Sequence, residues 1–468
     1  MATRTLIRNA HILTQNDARD VYKRGSVLIE DGRIARVDDR ADVQESGAET
    51  IDAEGMALLP GLVNAHSHIM CILLRGGLSA DRRLMDWRLN VMAPGQAFYT
   101  PDDAAVATKL FAIEAIRSGT TTVVTNERVE RPLSEAMLGA LIEIGMRSVF
   151  VLCFNEVGPT GKLAERAGSL TAAWPRDFPS HLKDGDSFLS EMTFLFEKYH
   201  GKLGRRIHIW PGPNIPVYVK GETFLRVSRW ASEWNLRVST HVSEDPMESV
   251  VGGLPVVQHL GAWALLSPDL IAAHCIHLGD EDIRLLRESG TQVVHLPSSN
   301  LYLGSGIAPI PRLMMAGIQV ALGTDNANCN DMANMFWEMR LACLLHKGVN
   351  TDPAAMSAQQ ALDMATRNGA AALGMDDEIG VIEPGKRADL ILFDLDRPHL
   401  RPLHHLPSGL VYQSQGPEVQ WVWVDGEPLM EDGQLTWLSP KEEKQVLESA
   451  QTASAAVAER AGLQMPGP

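Results

Sequence analysis

The sequence predicts an α/β protein: a (β/α)8 TIM-type barrel carrying a small β-sandwich made from both ends of the chain. Three observations lead there. At 468 residues the chain is too long for one ordinary core and long enough for a barrel of about 250 residues plus a smaller unit. Short β-branched runs alternate with amphipathic helical stretches from about residue 59 to 370. Both ends are written instead in short strands with tight turns.

The N-terminal stretch reads "TLIRNAHILT", then "SVLIEDGRIARV" with Asp31-Gly32 as its hairpin turn, then "ETIDAEGMALLP". The strands of the central region follow as "LPGLVNAHSH", "TTTVVT", "RSVFVLCF", "RIHIWPG", "LRVSTHV", "LIAAHC", "TQVVHLP" and "IQVALGTD". Eight such runs separated by helices imply a parallel sheet, and a sheet of that length implies closure. After residue 378 the β pattern returns in "IGVIEPGKRADLILFDL" and "VQWVWVDGEPLMEDGQL", where Asp425-Gly426 repeats the turn chemistry of Asp31-Gly32. The tail from Pro440, "PKEEKQVLESAQTASAAVAERA", is helix-forming with one polar face, a packing or oligomer helix. The expected division is residues 1–58 with 379–438 for the sandwich, 59–378 for the barrel and 439–468 for the terminal helix and tail.

Composition narrows the class of function. Hydrophobic residues at 45% and charged residues at 21% are the balance of an ordinary globular protein. A formal net charge of −16 argues against nucleic acid and anionic membranes as partners. Neither a secretory leader nor a long apolar run is written, so a cytoplasmic protein acting on a small molecule is expected. Five scattered cysteines without a C-x-x-C pair fit neither a disulfide framework nor a cysteine metal knuckle. The H-x-E with P-C-x-x-C signature of nucleobase deaminases is likewise missing.

Residues i and i+2 of a strand share a face, so His66 and His68 point together at the end of the first central strand. Functional groups of such barrels gather where the strands end, and later runs stop at His241, His274 and Asp325. Imidazoles converging with a carboxylate suit Zn²⁺ or Fe²⁺. Glu244, three residues beyond His241, is the expected general acid/base. His208 in "RIHIWPGP" reads as structural, and His277, past the strand end in "AHCIH", is a secondary candidate.

At these residues the sequence resembles the amidohydrolase superfamily, in its branch of cytosine deaminases, adenosylhomocysteine deaminases and chlorohydrolases. Further motifs carry the likeness to the melamine-deaminating and atrazine-dechlorinating members: "LLRGG", "MDW", "NVMAPGQ", "AIRSGTTT", "YLGSGIAPIP", "GTDNANCND" and "RADLILFDL". The resemblance implies one divalent ion per subunit, Zn²⁺ or Fe²⁺, held by His66, His68, His241 and Asp325, with His274 beside the water. A lysine that would bridge a second metal is missing from the fourth run, so one ion is expected. The implied catalytic residues are Glu244, His274 and Asp325. The implied substrate wall is Leu84, Trp87 and Gln96 after the first strand, Asn126 after the second, Ser299 and Asn300 after the seventh, and Asn326 and Cys329 after the eighth.

The deaminating members carry Asp and Cys at the positions of Asn326 and Cys329, the dechlorinating ones Asn and Ser; this chain has one of each. Gly252 and Gly253 stand near the position where the melamine-deaminating members have a bulky tryptophan, which implies a roomier or more mobile pocket and argues against melamine itself. The expected activity is hydrolytic deamination of an aminotriazine, aminopyrimidine or purine-like ring. Two alternatives are displacement of chloride or alkylamine from an s-triazine, and a non-catalytic assembly protein on the same scaffold. A homo-oligomer is implied by the resemblance alone.

Overall fold

The computed structural model describes residues 4–128, 130–158, 167–168, 182–246, 250–251 and 253–463. Strands β1 (Arg4–Leu13), β2 (Val21–Glu30) and β3 (Arg33–Asp38) form an antiparallel meander. β4 (Glu49–Asp52) and β5 (Met56–Pro60) lie parallel to successive stretches of β1. The turn between β2 and β3 has φ of 50° at Asp31 and 78° at Gly32. Two left-handed residues in succession are what a two-residue hairpin with right-twisted strands demands, and Asp-Gly supplies them at low cost.

The run "LPGLVNAHSH" divides: β5 ends at Pro60 and β6 (Leu62–His68) begins a second system, with Gly61 between them. A Cβ on Gly61 would lie 2.1 Å from Oγ1 of Thr121, so only glycine lets the chain pass there. β6 is buried along its whole length, as expected for a parallel strand covered on both faces. It pairs in parallel with β7 (Thr120–Arg128), which pairs with β8 (Arg147–Phe154), which pairs with β9 (Ile207–Pro213). Helices α1 (Pro101–Arg117), α2 (Arg131–Ile144), α3 (Gly185–Tyr199) and α4 (Gly221–Glu233) alternate with these strands. α1 starts where Thr100 and Asp103 close a reciprocal capping box around Pro101.

A second parallel sheet follows, of β10 (Val238–Val242), β11 (Leu270–His274), β12 (Gln292–His295) and β13 (Val320–Leu322). Its helices include α5 (Asp280–Ser289) and the short α6 (Pro297–Tyr302). The eighth run breaks at Gly323-Thr324, and its second part, β14 (Asp325–Asn326), pairs in parallel with β6 of the first sheet. At the other margin the backbone N–H of His241 donates to the carbonyl of Asn214, just past β9, at 3.0 Å. The two sheets therefore meet along both margins. α7 (Met335–Asn350) packs outside the last strands.

β15 (Leu390–Asp394), β16 (Val419–Val424), β17 (Glu427–Glu431) and β18 (Gln434–Leu435) return to the chain-end unit. β5 bonds β1 on one side and β15 on the other, so both ends join one nine-stranded sheet where two facing sheets were expected. This sheet curls on an apolar core that includes Ile7, Ile12, Val27, Leu390 and Trp423. Its β2–β3 and β16–β17 turns touch: a Cβ on Gly32 would lie 2.5 Å from the carbonyl of Asp425. Helix α8 (Pro440–Arg460) closes the described chain against α1. No helix among the described residues is long and apolar enough to cross a membrane.

Candidate metal centre and active site

The strand ends bring His66, His68, His241 and Asp325 together, one ligand atom of each lying within 4.8 Å of the others. Period-2 geometry presents His66 and His68 from β6; β10 supplies His241 and β14 supplies Asp325. All four are buried.

The hydrogen bonds assign the lone pairs. Nδ1 of His68 sits against the carbonyl of Asn126, and Nδ1 of His241 is 2.7 Å from the carbonyl of Asn214. A carbonyl only accepts, so both Nδ1 atoms carry the hydrogen and both Nε2 atoms present a lone pair. Those two Nε2 atoms face each other at 3.2 Å. Nε2 of His68 is also 3.4 Å, and Nε2 of His66 3.5 Å, from the same oxygen of Asp325. The two Nε2 lone pairs of His68 and His241 and the carboxylate of Asp325 converge with no hydrogen between them and repel one another unless a cation lies among them, so the donor set fits a divalent ion.

Electrostatics agrees. Burial lowers the basicity of all three imidazoles, that of His68 to about 3 and that of His241 well below the ordinary value. They are therefore neutral, the ligating form. Burial pushes the carboxyl of Asp325 up, but the close imidazoles of His66, His274 and His68 outweigh it and hold it well below the usual range. Backbone strain gathers here too: Ser243, His274, Cys275 and Asp325 have φ of 52°, 72°, 50° and 60°. Left-handed backbone at a non-glycine residue costs on the order of 1 kcal/mol or more and persists where the surroundings enforce it.

Glu244 and His274 stand next to the cluster, Oε2 of Glu244 lying 3.7 Å from Nε2 of His274. Together with Asp325 they offer ligand or proton-carrying atoms within 4.8 Å of one another. Burial, with the charge of Asp325, raises the Glu244 carboxyl well above the usual range. Nδ1 of His274 is held by Oδ1 of Asn300 at 2.8 Å, and its Nε2 has no hydrogen-bond partner among the described residues.

A cavity of about 300 Å³ opens onto His68, His241, Glu244, His274 and Asp325. Leu84, Trp87, Gln96, Asn126 and Asn326 line it, where the sequence put a substrate wall. The indole N–H of Trp87 and Oδ1 of Asn326 are buried and find no partner among the described residues, one donor and one acceptor. Ser299, Asn300 and Cys329 are not on this wall, contrary to their expected contact with substrate. Ser299 donates its hydroxyl to Oδ2 of Asp325, with the sulfur of Cys329 3.2 Å from that hydroxyl, and Asn300 orients His274. The short α6 turn points Ser299 and Asn300 at the back of the acid and the imidazole, and Cys329 reaches the same hydroxyl from the loop after β14, directions that loop position alone does not encode.

Of the other candidates, His277 bonds the carbonyl of Ser305 at 2.9 Å, and His208 packs 5.5 Å from the ring of His200. Gly252 lies outside the described residues, and Gly253 sits in open space at φ 88°. Sequence reasoning missed Arg88, Arg128, Lys183 and Asn214, all on the cavity wall. Arg128 ends β7 and Asn214 follows β9, so the strand-end rule used for the histidines would have found both.

Comparison with known proteins places these features in a family. Residues 57–429 match the model described as "Amidohydrolase family". A 5-methylthioadenosine/S-adenosylhomocysteine deaminase of Acetivibrio thermocellus is 36% identical over 94% of this chain and 96% of its own length. A 5'-deoxyadenosine deaminase of Methanothermobacter thermautotrophicus is 37% identical over 92% of this chain and 95% of its own. Among solved structures, an adenosine deaminase from Xanthomonas campestris with bound zinc superposes with a TM-score of 0.87 at 30% identity, covering 98% of this chain and 99% of that one. Atrazine chlorohydrolase from Arthrobacter aurescens, complexed with zinc, gives 0.86 at 25% identity, covering 96% and 100%.

Proposed function

This chain belongs to the amidohydrolase family, and on that premise we propose that it is a metal-dependent deaminase that hydrolyses the exocyclic amine of an adenine-type ring carried on a nucleoside. The observation that carries the reading is the meeting of Glu244, His274 and Asp325 at the floor of a cavity that also opens on the ligand histidines. Curated relatives at 36 and 37% identity over nearly the whole chain act on adenosine derivatives. They favour the adenine ring over the aminotriazines to which the sequence motifs point. The same reading takes the eight parallel runs as one closed (β/α)8 barrel, supported by the meeting of the two sheets at both margins.

His66, His68, His241 and Asp325 would hold the ion, Zn²⁺ or Fe²⁺, which when bound supplies a water made acidic enough to act near neutral pH. The rest is done by side chains. Glu244, kept protonated by burial, gives its proton to the ring nitrogen beside the amine-bearing carbon as water oxygen bonds to that carbon. The proton lost by the water is taken up by the Asp325–His274 pair. As the tetrahedral carbon collapses, its hydroxyl proton returns to Glu244, the C–N bond breaks, and the amine leaves as ammonia with the proton held by the pair. Water and the amino heterocycle are consumed; ammonia and the oxo heterocycle are formed.

The test is ammonia release by metal-quantified protein from 5'-deoxyadenosine, 5'-methylthioadenosine, S-adenosylhomocysteine, adenosine, guanine, cytosine and melamine, with chloride release from atrazine in parallel. Turnover of the adenosine group, lost in Glu244→Gln, is the expected result. Melamine alone would return the substrate to the triazines, and chloride without ammonia would assign Asn326 to a dechlorinating pocket. Silence from metal-loaded protein across the whole panel would refute the substrate class.

A further inference from the structure

Glu338 is a fully buried carboxylate that the chemistry above does not use. It lies in the first turn of α7, behind the active site. Its surroundings supply hydrogen-bond donors and the like charge of Asp325 where a buried carboxylate usually has a cation, and burial pushes its carboxyl up to about 7. A methionine or leucine would occupy such a place at lower cost. What distinguishes the carboxylate is what its two oxygens hold.

Oε2 accepts the backbone N–H of Ser298 at 3.3 Å, and Oε1 accepts Nδ2 of Asn330 at 2.8 Å. Ser298 opens α6; the next two residues are Ser299, which donates to Asp325, and Asn300, which orients His274. Asn330 closes the loop after β14, and its Nδ2 also donates to the carbonyl of Thr324 at 2.7 Å, one residue before Asp325. Thr324 in turn exchanges two bonds, of 2.8 and 3.1 Å, with the amide of Asn64, two residues before His66. One line of hydrogen bonds therefore runs from behind His66 to behind His274, and both oxygens of Glu338 are links in it.

We propose that Glu338 is a positioning residue of this site, clamping the loop after β12 to the loop after β14 so that His274 and Asp325 keep the mutual geometry that proton transfer needs. The inference rests on the deaminase reading for its kinetic consequence but not for its structural one. Residues that orient a ligand or a proton carrier through one intermediate set the populated geometry of the reacting groups more than the affinity for substrate. The expected signature is therefore a loss in kcat with KM nearly kept.

The experiment uses full-length, metal-loaded protein carrying Glu338→Ala, Glu338→Gln or Asn330→Ala. Steady-state kinetics are taken on 5'-deoxyadenosine, metal content is measured per chain, and hydrogen exchange is followed by mass spectrometry over residues 297–303 and 326–331. Glu338→Ala is expected to lower kcat by about 10- to 100-fold, with KM within about 3-fold and metal content unchanged. Exchange should quicken in those two segments and nowhere else. Glu338→Gln keeps the size but sets an amide NH2 against one of the two donors, so one link is lost and kcat should fall about as far as in Asn330→Ala. Asn330→Ala should reproduce the loss, and the double variant should fall short of the sum because the two residues share one bond.

A Glu338→Ala protein with kcat within about 2-fold of the parent, or with unaltered exchange in both segments, overturns the proposal. Should Glu338→Ala fail to fold, Asn330→Ala with parental kcat and exchange overturns it just as well. If the parent turns over nothing in the panel, the deaminase reading fails while exchange still decides the clamp.

Discussion

Two buried polar clusters occupy opposite ends of the parallel strands, and they differ in completeness. At the N-terminal ends, Arg147 of β8 forks onto Asp389 at 2.8 and 2.9 Å and reaches Asp425 at 2.7 Å. Arg206 and Arg387 donate to the remaining capacity of Asp425 at 2.8 Å each. There every cation faces an acid, and the cluster fastens the curled chain-end sheet to the strands. At the C-terminal ends the reverse holds: His68 and His241 present lone pairs to each other at 3.2 Å, beside an ionised Asp325. Arg147, Arg206 and Asp389 are as buried as the metal ligands, with Asp425 and Arg387 half-buried, but one cluster is finished by the chain and the other needs an ion. A self-satisfied cluster speaks of stability and an unsatisfied convergent one of chemistry.

The comparison breaks if either cluster behaves like the other. The largest effect is expected at the unfinished one. His241→Ala should leave the fold intact and abolish turnover, a loss of more than about a thousandfold that reflects both ligation and the site beside Glu244. Chelation should imitate it and lower the melting temperature, because an ion that binds only the folded state stabilises it. Calorimetry with and without chelator reads the second effect. A melting temperature indifferent to chelator would mean that the lone pairs coexist without a cation, and the assignment would fall.

At the finished cluster the expectation inverts. Arg147→Ala strands Asp389 in a buried site and should cost on the order of 3–5 kcal/mol of stability by urea denaturation, while kcat per folded, metal-loaded chain stays within about 2-fold of the parent. A comparable loss of kcat would mean that the strands transmit strain from one end to the other, and the two regions could no longer be treated as separate.

The same contrast explains what was legible in the sequence. His66 and His68 could be paired because strand geometry has period 2, and His241, His274 and Asp325 could be added because runs of β-branched residues announce where strands stop. Side chains on loops have no such period. Ser299, Asn300 and Cys329 were readable as neighbours of the site but not as lying behind it, since the direction of the short α6 and of the loop after β14 comes from packing. The break at Gly61 was hidden because "LPGLVNAHSH" is apolar on both sides of it; the close approach of Thr121 that requires glycine is a long-range contact. The single curled sheet was hidden for a similar reason: turn chemistry marks hairpins, but it does not say that β5 will bond β1 and β15 at once. Glu338 was invisible because a lone acid among apolar residues, in "MFWEMRL", reads as a solvated helix position.

The smallest expected effect concerns an acid that belongs to neither cluster. Glu127 on β7 is buried, accepts from Oγ1 of Thr125 at 2.5 Å and from the backbone N–H of Met70 at 3.4 Å, and has no partner at Oε2 among the described residues. Burial pushes its carboxyl up to about 7, from an ordinary value near 4.5. The folded state therefore binds a proton that the unfolded chain gives up above pH 4.5 or so, and the stability it contributes is complete below that pH and is lost as pH rises through about 7. At about 1.4 kcal/mol per pH unit, the loss between pH 5 and 8 is at most about 3 kcal/mol. Glu127→Gln keeps the shape and cannot ionise, so its urea midpoint should fall less steeply over that range and should exceed the parent's above pH 7 while matching it near pH 5. Parallel curves for the two proteins would mean that Glu127 has a cation or water the hydrogen-bond pattern does not reveal. It would then count with Asp389 and Asp425 among the acids whose charge the fold has already answered.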